Sequence, residues 1–453
     1  MSRESSPRLN PRARRRALVL GYYNGVLWSM GNGLTSGALL VFLARDLGAT
    51  GLALSLVLAA PTALGALQLV APRWMAQRGT ARRACLESLA LSYVLLAIVP
   101  LALAAAESPG PWLLRACIGL ICAHQLLEAV GTVALWSWLA DLVPRRVRGR
   151  YFGRRQVYQL ALLIPTLLIS GWLVDRWNQA HPERRLVGYA TATGIGASLL
   201  IASLFPLARI PATRRIVLEF TAAGDALRRL LAPLSDARYR WLIAYACWLS
   251  LANGVTQVAQ GVFPREVLGL QLLPLALART GMRLGQMGMA AWAGPFSDRH
   301  GNRPTLILAQ TLVACGPLCY LVATFDPRHG LFWIVAAYLL WSAYAAINVC
   351  RPNLMLRLAP STDNAPYFAL LLACSSLTYA ASTVLGGWWF DFLAQRETFV
   401  LGAWTVDHYQ VQFTIGWIAR LAAVLLLIPI AEPGARRWAQ ILFARRSPST
   451  LSP

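Results

Sequence analysis

One acidic side chain lies deep inside a long apolar stretch, and it offers the most reactive chemistry in the chain. Glu128 stands about 16 residues from both Pro111 and Pro144, which is about 24 Å from either end of a helix. His124 precedes it by one helical turn, so the two side chains share a face. A carboxylate at that depth is costly unless it is paired, hydrated or protonated. We therefore predict that Glu128 binds a solute or carries a proton, and that His124 shares that proton or only hydrogen-bonds to the carboxylate. A static buried pair that fixes helix packing is the alternative.

Further polar side chains recur at helical spacing in other apolar stretches, so each set shares one face of its helix. The sets are Asn24, Trp28 and Asn32; Asn253, Gln257 and Gln260; Arg279, Arg283 and Gln286; and Asn348 with Arg351. The third, sixth and ninth stretches have almost no such residues beyond Glu87. We predict that these sets line one solute or proton pathway. The arginines suit a carboxylate or phosphate on a solute, or one of them balances Glu128.

The composition is that of a membrane protein. Of the 453 residues, 57% are hydrophobic and 13% are charged, and the mean hydropathy is +0.50. A water-soluble fold could not cover so much apolar area. The net charge of +23 comes from arginine, because the chain has no lysine, and most arginines stand between apolar stretches. That placement indicates membrane topology and argues against a nucleic-acid partner. The eight cysteines lie in apolar stretches without metal-binding spacing, and no phosphate-binding glycine loop occurs. We therefore expect no metal, no cofactor and no ATP-driven pumping.

Twelve stretches approach the roughly 20 apolar residues that a helix needs to cross a bilayer core. They are residues 17–44, 51–74, 84–105, 111–143, 151–176, 186–208, 238–263, 268–297, 304–324, 330–358, 364–388 and 410–431. Arginines gather in the two tails and in alternate loops, which predicts that both termini are cytoplasmic. A longer, polar and amphipathic segment separates six stretches from six. The predicted division is a basic tail (1–16), a six-helix bundle (17–208), a cytoplasmic linker (209–237), a second six-helix bundle (238–431) and a second tail (432–453).

The two groups of six stretches have similar sequences at three points, which occur in the same order. The matches are Asn24-Gly25-Val26 with Asn253-Gly254-Val255, Pro144 and Tyr151-Phe152 with Pro360 and Tyr367-Phe368, and Gly79 with Gly301. This order indicates a duplicated six-helix unit, with two parallel repeats related by an axis along the membrane normal.

The run from Gly294 to Pro304 places a carboxylate, two guanidiniums and a glycine turn between two apolar stretches. Its fixed positions, read as G-x-x-x-D-R-x-G-x-R, are Asp298, Arg299, Gly301 and Arg303. In this pattern the chain resembles the major facilitator superfamily of transporters. The resemblance implies an all-α membrane protein with twelve transmembrane helices in two pseudo-symmetric six-helix bundles. It also implies transport of a small solute by alternating access.

The resemblance further implies a gate at the cytoplasmic membrane face. Asp298 would meet the start of the fifth span at Tyr151, because a helix N-terminus favours an anion. Neighbouring arginines would add to this attraction: Arg148, Arg150 and Arg154. The first-half copy of the loop has Ala76 where aspartate is expected and keeps Gly79 with Arg78, Arg82 and Arg83. We therefore predict Asp141 as the acidic partner of Arg78 or Arg82.

Arg420 fits neither scheme. It stands near mid-depth of the twelfth stretch, where the resemblance implies a peripheral helix. Either that helix starts later than predicted or the arginine extends outward to the membrane surface.

These observations predict a monomeric secondary transporter of the inner (plasma) membrane, with the lipid bilayer and a small molecule as its partners. Protons are one candidate for the coupling ion, and facilitated diffusion is the other mode. An integral-membrane lipid-modifying enzyme would need reactive side chains gathered at one membrane face, whereas most of the histidines are scattered over loops. A lipid scramblase or a sensor with the same fold is the third alternative. The solute and the direction of transport stay open.

Overall fold

The structure, a computed structural model, describes the greater part of the chain. The described residues are 10–35, 37–63, 74–75, 77–106, 110–143, 148–212, 228, 231–358, 365–396, 399–401 and 404–432. Nearly all of them are helical. The α-helices are α1 (Pro11–Thr35), α2 (Ala38–Asp46), α3 (Gly51–Ala63), α4 (Ala81–Ala105), α5 (Pro111–Leu142), α6 (Arg148–Ala180), α7 (Arg185–Ala202), α8 (Leu204–Ala208), α9 (Ala237–Val255), α10 (Gln257–Glu266), α11 (Leu272–His300), α12 (Asn302–Phe325), α13 (Gly330–Leu340), α14 (Tyr344–Leu358), α15 (Ala365–Ala394) and α16 (His408–Leu427).

Each of the twelve predicted segments contains one or two of these helices, and we number the spans in that order. Within the described residues, ten helical stretches are long and apolar enough to cross a membrane. The second predicted segment is helical over Gly51–Ala63, and its residues 64–73 lie outside the described part. The eighth is helical over Leu272–His300. The predicted all-α fold with twelve spans is confirmed. Below, the inner end of the spans is the end with the loops at Gly79 and Gly301, and the outer end is the opposite one.

The first and seventh spans are each broken near their outer ends. In the first, α1 ends at Thr35 and α2 begins at Ala38, with Gly37 at φ +74°, a conformation that glycine adopts without steric strain. In the seventh, α9 ends at Val255 and α10 begins at Gln257. The outer pieces are of nearly equal length, 9 and 10 residues. The breaks therefore mark equivalent points of the two repeats.

This register corrects one of the predicted matches between the halves. Asn253 lies directly before the break in its span, whereas Asn24 lies three turns before the break in the first. The two Asn-Gly-Val tripeptides therefore stand at different depths and do not mark equivalent positions. Short matches of this kind arise by chance when small and polar residues recur along helices.

A second predicted match does mark equivalent positions. Tyr151, at the start of the fifth span, stacks on Tyr22 of the first span with ring centroids 4.7 Å apart. Tyr367, at the start of the eleventh span, meets Tyr239 of the seventh span at the same centroid distance of 4.7 Å. Pro144 and Pro360, which complete the match, lie outside the described residues. In each half, a pair of tyrosines thus joins the first span of that half to its fifth.

The chain packs as two compact units. The first contains Met1–Ala223, Gly254–Leu277 and Leu372–His408, and the second contains Gly224–Asn253, Ala278–Leu371 and Tyr409–Pro453. The first unit therefore combines the first six spans with the outer parts of the seventh, eighth and eleventh spans. The division of the chain at a linker of residues 209–237 stays a prediction, and most of that linker lies outside the described residues.

The packing agrees with a protein that is surrounded by lipid. In the first unit, Tyr93, Trp138 and Leu200 of the third, fourth and sixth spans are fully buried in one apolar core. Large apolar side chains such as Leu101 and Leu425 are instead exposed on the outside of the helices, at 69% and 64%. Such positions match lipid contact. A short hairpin of β1 (Phe399–Leu401) and β2 (Trp404–Val406), which we did not predict, joins the last two spans.

Candidate functional site

The structure brings together the central residues of the predicted pathway in the first half. One carboxylate oxygen of Glu128, Oε1, accepts a hydrogen bond of 2.8 Å from the indole nitrogen of Trp28. The other, Oε2, lies 3.7 Å from Nε2 of His124, and the Glu128 side chain is 15% exposed. Glu128 thus lies mostly out of solvent with a neutral donor on one oxygen and an imidazole near the other. We name these three residues the Glu128 cluster.

The third span completes this cluster from the far side of the imidazole. Nδ1 of His124 lies 2.8 Å from the hydroxyl of Ser92 and 3.2 Å from its carbonyl oxygen. The Ser92 hydroxyl also lies 2.8 Å from the carbonyl oxygen of His124. The ring of Tyr93 stands 6.2 Å from the imidazole. The third span, from which the sequence singled out only Glu87, thus contributes a buried serine to the surroundings of His124.

The polar stripe of the first span serves two different neighbours. Trp28 faces Glu128, whereas Asn24 accepts a 3.1 Å hydrogen bond from the guanidinium of Arg155 and donates one of 3.1 Å to the carbonyl of Ser203. Asn32, the third member of the stripe, is half-buried. The prediction of one common pathway along this stripe stays untested.

Arg155 is a residue that sequence reasoning missed. It is 4% exposed, donates to the carbonyl of Gly21 at 3.3 Å, and lies over the ring of Trp136 at 5.4 Å. No carboxylate among the described residues lies within ion-pair distance of it. Its spacing of one turn from Gln159, to which it donates at 3.5 Å, is the signal that could have marked it.

Arg420 lies inside the second unit and does not extend to the membrane surface. It is 2% exposed, and it donates from Nε to the side-chain oxygen of Asn253 at 2.9 Å and from its guanidinium to the carbonyl of Gly416 at 3.1 Å. Tyr344 donates to the same Asn253 oxygen at 2.7 Å. The twelfth span begins at His408, close to the predicted start. Both predicted explanations for Arg420 are therefore wrong, because oxygen acceptors inside the unit satisfy the guanidinium at depth.

The remaining predicted residues of the pathway are only partly brought together. Arg283 is exposed and donates to Gln286 at 3.2 Å, while Arg279 donates to the hydroxyl of Tyr338 at 3.3 Å. Gln260 is 9% exposed and its side-chain nitrogen has no partner among the described residues. The others differ in burial: Gln257 and Arg351 are half-buried and Asn348 is exposed. A positive wall of arginines stays a prediction.

The inner loop of the second half is held by the first residue of the predicted C-terminal tail. Glu432 is 8% exposed and accepts hydrogen bonds from the backbone nitrogens of Asn302 (3.1 Å) and Arg303 (2.7 Å) at the start of α12. The side chain of Asn302 and the guanidinium of Arg357 also donate to it, each at 2.8 Å. A carboxylate suits this position because the first amides of a helix lack partners. The signal was an acid standing directly after the last apolar stretch.

Two of the predicted gate residues, Gly301 and Arg303, adjoin this contact. Arg303 donates to the carbonyls of Leu427 and Ile428, at 3.0 and 2.5 Å, and so ties the loop to the end of the twelfth span. Gly301 takes φ +102°, as the turn requires. Asp298 and Arg299 are exposed. The predicted contact of Asp298 with the start of the fifth span stays a prediction; Arg154 there is exposed, and the side chains of Arg148 and Arg150 lie outside the described residues.

The first-half loop keeps the same plan with other partners. Gly79 takes φ +75°, which supports its match with Gly301. Arg82 donates to the carbonyl of Ala208 at 2.8 Å, and Arg78 pairs with Glu87 at 3.0 Å. An acid on the third span and a helix-end carbonyl thus bind these two arginines, and the pairing of Asp141 with Arg78 or Arg82 stays a prediction. Ala76 lies outside the described residues.

The outer ends of the first and seventh spans meet through two reciprocal ion pairs within the first unit. We call Arg45, Asp46, Arg265 and Glu266 the outer corner. Arg45 lies 3.0 Å from Glu266, and Arg265 pairs with Asp46. Tyr189 donates to Asp46 at 2.6 Å. The signal we missed is a repeated Arg-acid dipeptide, followed within four residues by a glycine with positive φ in both copies, Gly48 and Gly269.

Two helix starts near the outer corner are capped by aspartates in equivalent positions. Asp175 of the fifth span accepts from the backbone nitrogens of Leu272 and Leu273, at 3.0 and 2.7 Å, at the start of the eighth span. Asp391 of the eleventh span accepts from Gly51 and Leu52, at 2.6 and 2.8 Å, at the start of the second. Each cap satisfies amides that the helix itself leaves without partners. The outer end of the first unit is thus held by two ion pairs and two caps, one of each from either copy of the repeat.

Comparison with known proteins shows the same architecture. The family model described as Major Facilitator Superfamily matches residues 22–365. Among solved structures, a D-xylose-proton symporter is 13% identical with a TM-score of 0.69, over 92% of this chain and 98% of that chain. A bacterial homologue of the human lysosomal transporter Spinster, in an inward-facing and unoccupied conformation, is 13% identical with a TM-score of 0.61, over 93% and 96%. The nucleoside transporter NupG is 13% identical with a TM-score of 0.59, over 92% and 98%. No curated protein sequence matches significantly.

Proposed function

We propose a site and a mechanism for this protein. The chain belongs to the major facilitator superfamily, and it is therefore a multi-pass membrane protein that acts as a secondary transporter of a small solute. The family points to a transporter and away from a lipid-modifying enzyme. The solved relatives carry names that refer to a sugar and to nucleosides, so their fold does not select one solute class for this chain. The class has to come from the residues of the site.

The observation that carries the proposal is the Glu128 cluster. An acid near the middle of a 32-residue helix, with an indole donor at 2.8 Å and an imidazole at 3.7 Å, is arranged to gain and lose a proton. We assign one of two roles to Glu128 during alternating access. It carries the coupling proton, or it contacts the solute directly. A polar solute fits the amide and guanidinium groups of the other predicted residues, and a carboxylate or phosphate on it would suit Arg279, Arg283 and Arg351.

The outer corner serves as a gate in this mechanism. Alternating access requires contacts at each end that form in one state and break in the other. The two ion pairs and the two aspartate caps are contacts of this kind, because they join the first and seventh spans, the fifth and eighth, and the eleventh and second. Asp298 is proposed for the corresponding role at the inner end. We further propose a monomer in the inner (plasma) membrane with both termini in the cytoplasm, on the arginine distribution.

Uptake into proteoliposomes tests the proposal. A thermal-stability screen of the purified protein with sugars, nucleosides, organic acids and sugar phosphates first identifies a solute, because a ligand that binds only the folded state raises its melting temperature. Uptake of that labelled solute is then measured with and without an inward proton gradient. We expect the gradient to drive accumulation in the parent and Glu128→Gln to lose accumulation while it keeps exchange of solute for solute.

Glu87→Gln is the matched control, since Glu87 lies at the inner end and is 34% exposed in its ion pairs with Arg78 and Arg83. It should accumulate solute like the parent. Unchanged gradient-driven uptake by Glu128→Gln would leave Glu128 as a packing partner and refute the proposed coupling.

A further inference from the structure

The hydrogen bonds around His124 determine which of its ring nitrogens carries the hydrogen. Nδ1 faces two oxygens of Ser92, the hydroxyl at 2.8 Å and the carbonyl at 3.2 Å. The carbonyl can only accept. The hydroxyl has one hydrogen. The Ser92 hydroxyl oxygen lies 2.8 Å from the carbonyl oxygen of His124 and donates that hydrogen to it. With the hydroxyl hydrogen so placed, both Ser92 oxygens present lone pairs to Nδ1. The arrangement in which all three bonds are made therefore has the hydrogen on Nδ1.

The other tautomer satisfies fewer groups. With the hydrogen on Nε2, Nδ1 would hold a lone pair that faces the Ser92 carbonyl at 3.2 Å, and the Ser92 hydroxyl would have to turn away from the His124 carbonyl. One contact would become repulsive and one hydrogen bond would be lost. In a buried site, a polar group without a partner is strongly unfavourable. Ser92 is fully buried, so water does not replace these partners.

This tautomer has a consequence for Glu128. A neutral imidazole with its hydrogen on Nδ1 presents the lone pair of Nε2 to Oε2 of Glu128, 3.7 Å away. Two lone pairs facing each other give no attraction, so the ionised acid gains nothing from the neutral ring. One added proton removes the conflict, either as imidazolium beside carboxylate or as imidazole beside carboxylic acid. A side-chain movement of about 1 Å then closes the gap to a hydrogen bond.

We propose that Ser92 is a positioning residue that fixes His124 in the Nδ1–H form, so that Glu128 and His124 together store a single proton. This inference rests on the proposed proton coupling and names the device that holds the proton. No second carboxylate among the described residues pairs with His124. Tyr93 is the titratable group that faces it from the third span, Trp28 faces it from the first, and the described part of the second span, Gly51–Ala63, has no titratable side chain.

Nitrogen NMR of the protein in lipid nanodiscs, with isotope-labelled histidine, tests the tautomer directly. The chain has five histidines, so His124 can be assigned as the signal that is missing from His124→Asn. We expect Nδ1 to be protonated at every pH, and on the acidic side of one transition we expect Nε2 to gain either the proton or a hydrogen bond from the Glu128 carboxylic acid. A neutral form with its hydrogen on Nε2 would overturn the inference.

Ser92→Ala tests the positioning role. Without the hydroxyl, only the backbone carbonyl holds Nδ1, so the ring can turn its hydrogen to Nε2 and satisfy an ionised Glu128 without an added proton. We expect two tautomers in the NMR spectrum. We also expect the midpoint of the pH profile of uptake to fall by about one unit, which is a tenfold loss of proton affinity. Ser92→Thr keeps the hydroxyl and should restore both readouts.

Ser88→Ala is the matched control, because Ser88 lies one turn away on the same span, is 2% exposed and bonds to Trp74 at 3.1 Å instead. It should leave the His124 signal and the pH midpoint unchanged. If Ser92→Ala behaves like Ser88→Ala, the positioning role is refuted. The failure of the proposed coupling can be told apart from the failure of the tautomer. If the parent shows the Nδ1–H form while Glu128→Gln still accumulates solute, the coupling is refuted and the tautomer stands.

Discussion

The two ends of the molecule preserve the chain's repeat to different degrees. At the outer end the copies match in residue class and position: Arg45 and Asp46 in the first span correspond to Arg265 and Glu266 in the seventh, and each arginine pairs with the acid of the other copy. Such a contact is self-complementary, as in a two-fold symmetric interface. Each copy therefore supplies one partner to each of the two pairs.

At the inner end the copies share a plan but not their residues. In both, an arginine donates to the carbonyls that end the last span of its own half, Arg82 to Ala208 and Arg303 to Leu427. The helix that follows is capped differently. Thr80 accepts from the backbone nitrogen of Arg83 at 3.2 Å in the first half, whereas Glu432 caps the second. Each inner loop is held within its own half, so the two could diverge.

The largest effect on stability is expected at the inner cap of the second half. Glu432→Ala removes a fully buried carboxylate and leaves two backbone amides, an asparagine and Arg357 without their partner. We expect a loss of about 3–5 kcal/mol, which thermal unfolding in detergent would detect. The matching change in the first half, Thr80→Ala, should lose only about 1 kcal/mol, as is usual for an N-cap. Equal losses in the two variants would contradict the asymmetry.

A charge exchange at the outer corner should have a smaller effect on stability and a clear effect on transport. Asp46→Arg places like charges beside Arg265, and we expect uptake to fall about tenfold, which corresponds to about 1.4 kcal/mol. The double variant Asp46→Arg with Arg265→Asp restores opposite charges and should recover most of that loss.

Asp326→Arg is the control for this exchange. Asp326 is an acid near the outer end that bonds to His329 and lies outside the corner, and its side chain is 37% exposed. Its substitution should leave uptake near that of the parent. A double variant no better than Asp46→Arg would show that the ion pair of Asp46 does not serve the gate.

The smallest effects are expected at the two aspartate caps. Asp175→Asn and Asp391→Asn keep the shape and reduce the charge at a helix start, so each should lose about 0.3–1 kcal/mol of stability. Because the two caps occupy equivalent positions, we expect equal losses within error. Thermal unfolding measures both. A loss confined to one variant would mean that the two copies no longer act alike.

The fold and part of the site could be predicted from the sequence. Apolar length gave the twelve spans, because a helix in lipid must satisfy its own backbone. One-turn spacing placed His124 beside Glu128, and the same reasoning grouped Trp28 with the predicted pathway. Each of these inferences depends on neighbours within one helix or on the membrane as a solvent.

The rest depends on contacts between residues far apart in sequence. Arg155 donates to Asn24, which lies 131 positions away, and Glu432 caps a helix that starts 130 positions before it. Neither partner can be inferred from local spacing. The Asn-Gly-Val match failed for a related reason. The depth of a residue in the membrane depends on where its helix breaks and ends, and a tripeptide sequence does not show that depth.

The reciprocal pairing at the outer corner also bears on the ancestry of the chain. Each six-span repeat carries an arginine and an acid side by side at the end of its first span, so a single repeat already holds both partners of the contact. Two separate copies of such a unit could associate through the same four side chains without any linker. Reciprocal contacts of this kind are those that two identical six-span units related by a two-fold axis would form.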